Sequence, residues 1–106
     1  PIVIEEVIRG EIGFDGLLIS DDLKMKALGG PLGARAGAAL DAGCDIALCC
    51  NYSLEDKIAA AKSAKPLAGK SAERAKAALA RLKPASSVEV EAGYERLAAL
   101  IKPALA

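Results

Sequence analysis

The chain has 106 residues, 53 % hydrophobic but only 3 % aromatic, with 14 basic and 14 acidic side chains and no histidine. That leaves room for one domain with a modest core. The balanced charge gives no footprint for nucleic acid or an anionic membrane, and no apolar run approaches the roughly 20 residues that span a bilayer.

Along the chain, helices and strands are expected to alternate. Ile2, Val3, Ile4, Val7 and Ile8 fall on one helical face, Ile12 extends it, and Gly13 can close it as a left-handed cap. The acids and helical spacing of PIVIEEVIRG do not read as a signal peptide. A short, wholly apolar run, Leu17–Ser20, then reads as a strand buried on both faces, delivering Asp21 and Asp22 at its carboxyl end. In α/β folds that end is where chemistry is kept: a carboxylate there lies near a low-dielectric core yet opens to a pocket. Residues 24–30 read as a loop or short turn, broken by Gly29 and Gly30. Pro31 opens a helix, Leu32 to Ala42, whose small residues suit close packing on a sheet, and Gly43 ends it.

Asp45–Cys50 is expected as a second buried strand, ending in Asn51. Asn51 would face the same end of the sheet as Asp21, as pocket lining or as a loop cap. The separation suits one parallel β-α-β unit. Ser53 caps a helix, Leu54 to about Ala64; Ser71 caps another, Ala72 to Leu82; a last amphipathic helix runs from Val90 to Ile101, after Pro84–Ser87 and before Pro103. Two strands covered on both faces cannot make a sheet alone, so the pattern implies a fragment, or a chain completed by another copy. Cys44, Cys49 and Cys50 match no metal or redox spacing and read as reduced, buried thiols, with a reactive Cys50 as the alternative. Asp45 reads as a structural turn acid, and Lys24 and Lys26 as solvated.

The stretch IRGEIGFDGLLISDDLKMKAL, followed by AGAALDAGCDIALCCN, resembles the C-terminal part of the catalytic barrel of glycoside hydrolase family 3, in particular bacterial β-N-acetylhexosaminidases of the NagZ type. The resemblance is close from Ile2 to Asn51 and looser to Ala106. It implies an α/β fold: the last two βα units of a (β/α)₈ barrel in residues 1–64, with residues 65–106 as a helical tail of the same domain. It makes Asp21, the first acid of the SDDLxM motif, the catalytic nucleophile. Asp22, Met25 and Asn51 are then assigned to substrate binding. Asp22 would be a supporting residue, and Ser20, Leu23 and Met25, which match the motif too, would serve as pocket lining or packing.

The resemblance further implies a retaining hydrolase that removes terminal β-linked N-acetylglucosamine from muropeptides or disaccharides. It would work in the cytoplasm during peptidoglycan recycling, with no metal or organic cofactor. The family's Asp–His acid/base pair has no counterpart here, because the chain lacks histidine. These residues alone are therefore expected to be inactive, needing the N-terminal part of the barrel or another copy. Read without the resemblance, Asp21-Asp22 is a helix N-cap or loop acid pair. Two other readings are a receiver-like or Mg²⁺-binding acidic site and a non-catalytic assembly module.

Overall fold

The computed structural model describes residues 1–85, 87 and 89–101. It contains an N-terminal π-helix, Val3–Glu11, and four α-helices: α1 (Leu32–Asp41), α2 (Leu54–Ser63), α3 (Gly69–Leu79) and α4 (Val90–Ile101). Ser86 and Pro103, invoked above around the last helix, lie outside the described residues.

No strand forms among the described residues, so the expected α/β architecture and the barrel quarter it implied are overturned; the chain is a helical arrangement. What remains of the expected β-α-β unit is a single parallel bridge between Ile19 and Ile46. The hydrogen bonds explain why it does not propagate. Leu18 O accepts from Asp45 N at 2.8 Å and Ile46 N at 3.2 Å, and Ser20 N donates to Ile46 O at 2.9 Å. On one side of the bridge the Asp45 carboxylate takes Leu18 N–H. On the other, the Ser20 hydroxyl and the Asp22 carboxylate take the N–H groups of Leu48 and Cys50. Side chains thus occupy the donors that would extend a ladder, and among the described residues no third segment offers a new edge.

The N-terminal helix carries i→i−5 bonds, such as Ile12 N to Val7 O at 2.8 Å, where spacing alone predicts an ordinary amphipathic α-helix. Its apolar face is largely uncovered, with Val3 64 % and Ile12 69 % exposed. Gly13 does turn left-handed after it, at φ 68°. Residues 24–30 form turns, as their composition implies.

Helix α1 follows Pro31, whose extended backbone suits an entry to a helix. It ends in a Schellman motif: Gly43 N bonds Leu40 O, Cys44 N bonds Ala39 O, and Gly43 takes φ 111°. The small residues of α1 pack on α2, not on a sheet. A Cβ at Gly33 would lie 3.0 Å from Ala59 O, so glycine sets how closely the two helices approach. Ser53 caps α2 as its sequence predicts, with Oγ accepting from Asp56 N at 3.1 Å. Ser71 does not cap α3. The helix starts two residues earlier, at Gly69, and the serine hydroxyl is drawn instead to the buried Asp45.

The core is small. Leu23, Leu32, Ala36 and Ala60 are buried, with Ala39, Ala47, Cys49 and Tyr52 packed around them. The Cα radius of gyration is 19.0 Å, against about 13 Å for a compact chain of 100 residues. No helix among the described residues is long and apolar enough to cross a membrane.

Candidate active site

The segment carrying the two acids is held by Asp45. This carboxylate is buried, with its side chain 2 % exposed, and it accepts four hydrogen bonds. Oδ2 takes Leu18 N at 2.8 Å and Arg9 Nη2 at 2.8 Å. Oδ1 takes Ser71 Oγ at 2.5 Å and Arg74 Nη1 at 3.1 Å. Arg9 also donates through Nη1 to Phe14 O and Gly16 O, at 2.6 and 2.8 Å. Arg74 continues to Asp15 Oδ1 at 2.6 Å. One carboxylate thereby ties the N-terminal helix, the chain leading to Asp21, and α3.

Burial works to raise the pKa of Asp45, but the Leu18 N–H, the Ser71 hydroxyl and Arg74 outweigh it and hold it below the usual carboxylate range. The hydrogen bond from Arg74 likewise lowers Asp15. Burial, reinforced by Asp45, raises the Cys44 thiol; burial, then Asp22 and Cys50, raises Cys49. A raised thiol pKa disfavours the thiolate, the reactive form, at both positions.

Beyond the bridge the chain leaves its register. Ser20 Oγ accepts from Leu48 N at 2.9 Å and donates to Asp21 O at 2.9 Å. Asp22 Oδ1 accepts from Cys50 N at 3.1 Å and Lys24 N at 3.2 Å. Leu23 N reaches Leu48 O at 3.1 Å, and the Leu23 side chain turns into the core. Asp21 is exposed, with Oδ1 accepting from Asp22 N at 2.7 Å. Among the described residues no donor meets its Oδ2. Asp21 is therefore the outward acid and Asp22 the tethered one.

Asn51 lies at the end of the opposing segment, in a left-handed conformation with φ 53°. Its carbonyl accepts from Lys24 Nζ at 2.9 Å, so Lys24 bridges the two segments and is not simply solvated. The ammonium also stands 5.7 Å from the Tyr52 ring centroid. The Asn51 turn is thus brought to the acid segment. Met25 is half exposed in the following turn, where Arg35 fastens the backbone through Leu23 O at 2.6 Å and Met25 O at 3.3 Å.

Among the described residues, the main clefts do not form around these groups. A cleft of about 350 Å³ beside α2, lined by Ala36, Ala47, Cys49 and Ala60, includes none of Asp21, Asp22, Met25 and Asn51. A cleft of about 460 Å³ beside Phe14, Leu17 and Arg74 includes none of them either. Asp21 stands on open surface, not in the pocket that a strand end in a complete sheet would supply. Among the described residues no group of three or more His, Cys, Asp or Glu side chains could hold a metal ion.

Arg9, Arg35, Ser71 and Arg74 were not legible as supports of this site. Their partners lie up to 59 residues away, and no spacing rule connects them. The buried Asp45, read as a structural turn acid, is the common anchor of Arg9, Ser71 and Arg74, while Arg35 holds the backbone of Leu23 and Met25.

The profile of the Glycosyl hydrolase family 3 N terminal domain matches residues 1–84, and the chain belongs to that family. Among curated proteins it is 55 % identical over 51 residues to the beta-hexosaminidase of Alkalilimnicola ehrlichii, covering 46 % of this chain and 15 % of that protein. It is 50 % identical over 50 residues to that of Bordetella avium, covering 45 % and 14 %. It is 46 % identical over 59 residues to that of Stenotrophomonas maltophilia, covering 54 % and 18 %. The matched region is thus under a fifth of each relative's length. No solved structure matches the chain.

Proposed function

We propose that this chain supplies the nucleophile-bearing segment of a retaining glycoside hydrolase that removes terminal β-linked N-acetylglucosamine. The observation that carries the reading is the exposed carboxylate of Asp21, fixed at Oδ1 and open at Oδ2, in a chain of this family. In the proposed reaction Asp21 Oδ2 attacks the anomeric carbon as the glycosidic bond breaks, giving a covalent glycosyl-enzyme. Water then releases the sugar with net retention. A fixed negative charge suits the oxocarbenium-like transition state.

Asp22, Met25 and Asn51 are assigned to substrate contacts around that carbon. Asp22 does not suit the acid/base role, because its Oδ1 already accepts two backbone N–H groups and its neighbour in sequence is the nucleophile. That role goes to a residue outside these 106, which contain no histidine. The open surface around Asp21 supports the same division, since a sugar pocket needs walls from elsewhere. The isolated chain is accordingly inactive.

Residues 1–64 carry the catalytic segment, and 65–106 are a tail of the same domain; the bonds from Ser71 and Arg74 to Asp45 support the tail's membership of that domain. The substrate is a disaccharide or muropeptide ending in N-acetylglucosamine, and the setting is peptidoglycan recycling in the cytoplasm. The relatives' name, beta-hexosaminidase, supports a hexosaminide substrate; the finer substrate and the setting rest on the motif resemblance.

The test is chemical rescue in the parent enzyme. Asp21→Gly abolishes turnover of an activated β-N-acetylglucosaminide, and azide restores it with formation of the α-glycosyl azide. Undiminished turnover by Asp21→Gly contradicts the reading.

A further inference from the structure

The bridge between Ile19 and Ile46 ends in an unusual way. In a parallel ladder, Leu48 N–H would next donate to the Ser20 carbonyl, two residues on from the bond between Ile46 N and Leu18 O. It donates instead to Ser20 Oγ at 2.9 Å, and that hydroxyl gives its own proton to Asp21 O at 2.9 Å. A serine hydroxyl has one donor, and here the Asp21 peptide consumes it. Two residues on, the device repeats: Asp22 Oδ1 takes Cys50 N–H at 3.1 Å. Asp21 is thus flanked, one residue before and one after, by side chains bonded to the backbone of the same opposing segment. Its carboxylate is then oriented by Asp22 N–H at 2.7 Å.

We propose that Ser20 is a positioning residue for Asp21: its hydroxyl replaces a backbone carbonyl in the pairing with Leu48 and, by the same bond set, fixes the peptide that aims the Asp21 carboxylate. This rests on the reading of Asp21 as nucleophile. Ser20 makes no contact with substrate in this account, because its only proton is already committed. Removal of the hydroxyl lets the Asp21 peptide rotate, and a nucleophile displaced by about 1 Å loses up to 10²-fold in rate.

Two measurements test it with the same pair of variants. In the parent enzyme, Ser20→Ala lowers kcat about 10- to 100-fold with KM within about twofold, and Ser20→Thr, which keeps the hydroxyl, restores most of the rate. In the 106-residue chain, exchange of the Leu48 amide hydrogen quickens about tenfold in Ser20→Ala and stays near wild type in Ser20→Thr. Unchanged kcat or unchanged Leu48 exchange in Ser20→Ala overturns the proposal, and so does a threonine variant as impaired as the alanine. Failure of the underlying reading shows differently: Asp21→Asn would turn over at the wild-type rate while Leu48 exchange still responded to Ser20.

Discussion

Asp45 and Asp22 are both carboxylates, yet the chain uses them differently. Asp45 is buried and meets two guanidinium groups, one hydroxyl and one N–H. Replacing it by asparagine leaves Arg9 and Arg74 facing a neutral amide, and breaking such a buried pair costs about 3–5 kcal/mol. Since its pKa is lowered on folding, its stabilisation is present above the unfolded carboxylate value of about 3.9 and is lost as pH falls through the folded value. Far-UV circular dichroism on titration from pH 7 to pH 2 is expected to show the wild-type chain losing helix below about pH 4. Asp45→Asn should show reduced helix already at pH 7 and a weaker acid transition. An acid transition identical in the two proteins would contradict the assignment. Asp22, by contrast, is half-buried and binds only backbone N–H groups, so its place is local to the turn that presents Asp21.

At the scale of elements, the packing of α1 on α2 turns on two glycines. A Cβ at Gly33 would sit 3.0 Å from Ala59 O and 3.1 Å from Ser63 Oγ, whereas one at Gly37 would meet Ser63 Cβ at an ordinary 3.8 Å. Gly33→Ala is therefore expected to lower the thermal midpoint by forcing the helices apart. Gly37→Ala should leave it unchanged or raise it, since alanine favours a helix interior by about 0.5–1 kcal/mol over glycine. Equal effects would show that the close approach is not limiting. Helices α1, α2 and α4 were legible, whereas the first helix is π and not α, and α3 starts at Gly69, ahead of the Ser71 cap expected for it. Pro31, Ser53 and the glycine after α1 mark ends that local chemistry sets, and the sequence signals for them are local too. The strands were misread for the complementary reason. Apolar runs at Leu17–Ile19 and Asp45–Cys50 announce burial, but a strand exists only where neighbours accept its hydrogen bonds. Here Ser20, Asp22 and Asp45 side chains take those bonds after one bridge. Asp21 stood out because its motif is contiguous. The Arg9–Asp45–Arg74 anchor did not, because its members are joined only by the fold.

At the scale of the whole molecule, four buried apolar residues among those described and a 19.0 Å radius of gyration mark a chain that keeps much of its apolar surface in contact with water. Ile2, Leu54, Leu82 and Leu100 are among the exposed large side chains. Burying a side chain of that size contributes about 1.5–3 kcal/mol, and this chain leaves several such contributions unrealised. Low intrinsic stability follows. No measurable hydrolysis of a β-N-acetylglucosaminide is expected from the purified chain, and turnover by it would contradict the division of the site between this segment and residues elsewhere. Whether Asp21 forms the covalent bond to the sugar is read out by trapping that bond. The parent enzyme is treated with 5-fluoro-N-acetylglucosaminyl fluoride, digested and analysed by mass spectrometry. A glycosyl adduct is expected on the peptide that carries Asp21, absent in Asp21→Ala. An adduct on another peptide, or none in a folded and reagent-consuming enzyme, would contradict it.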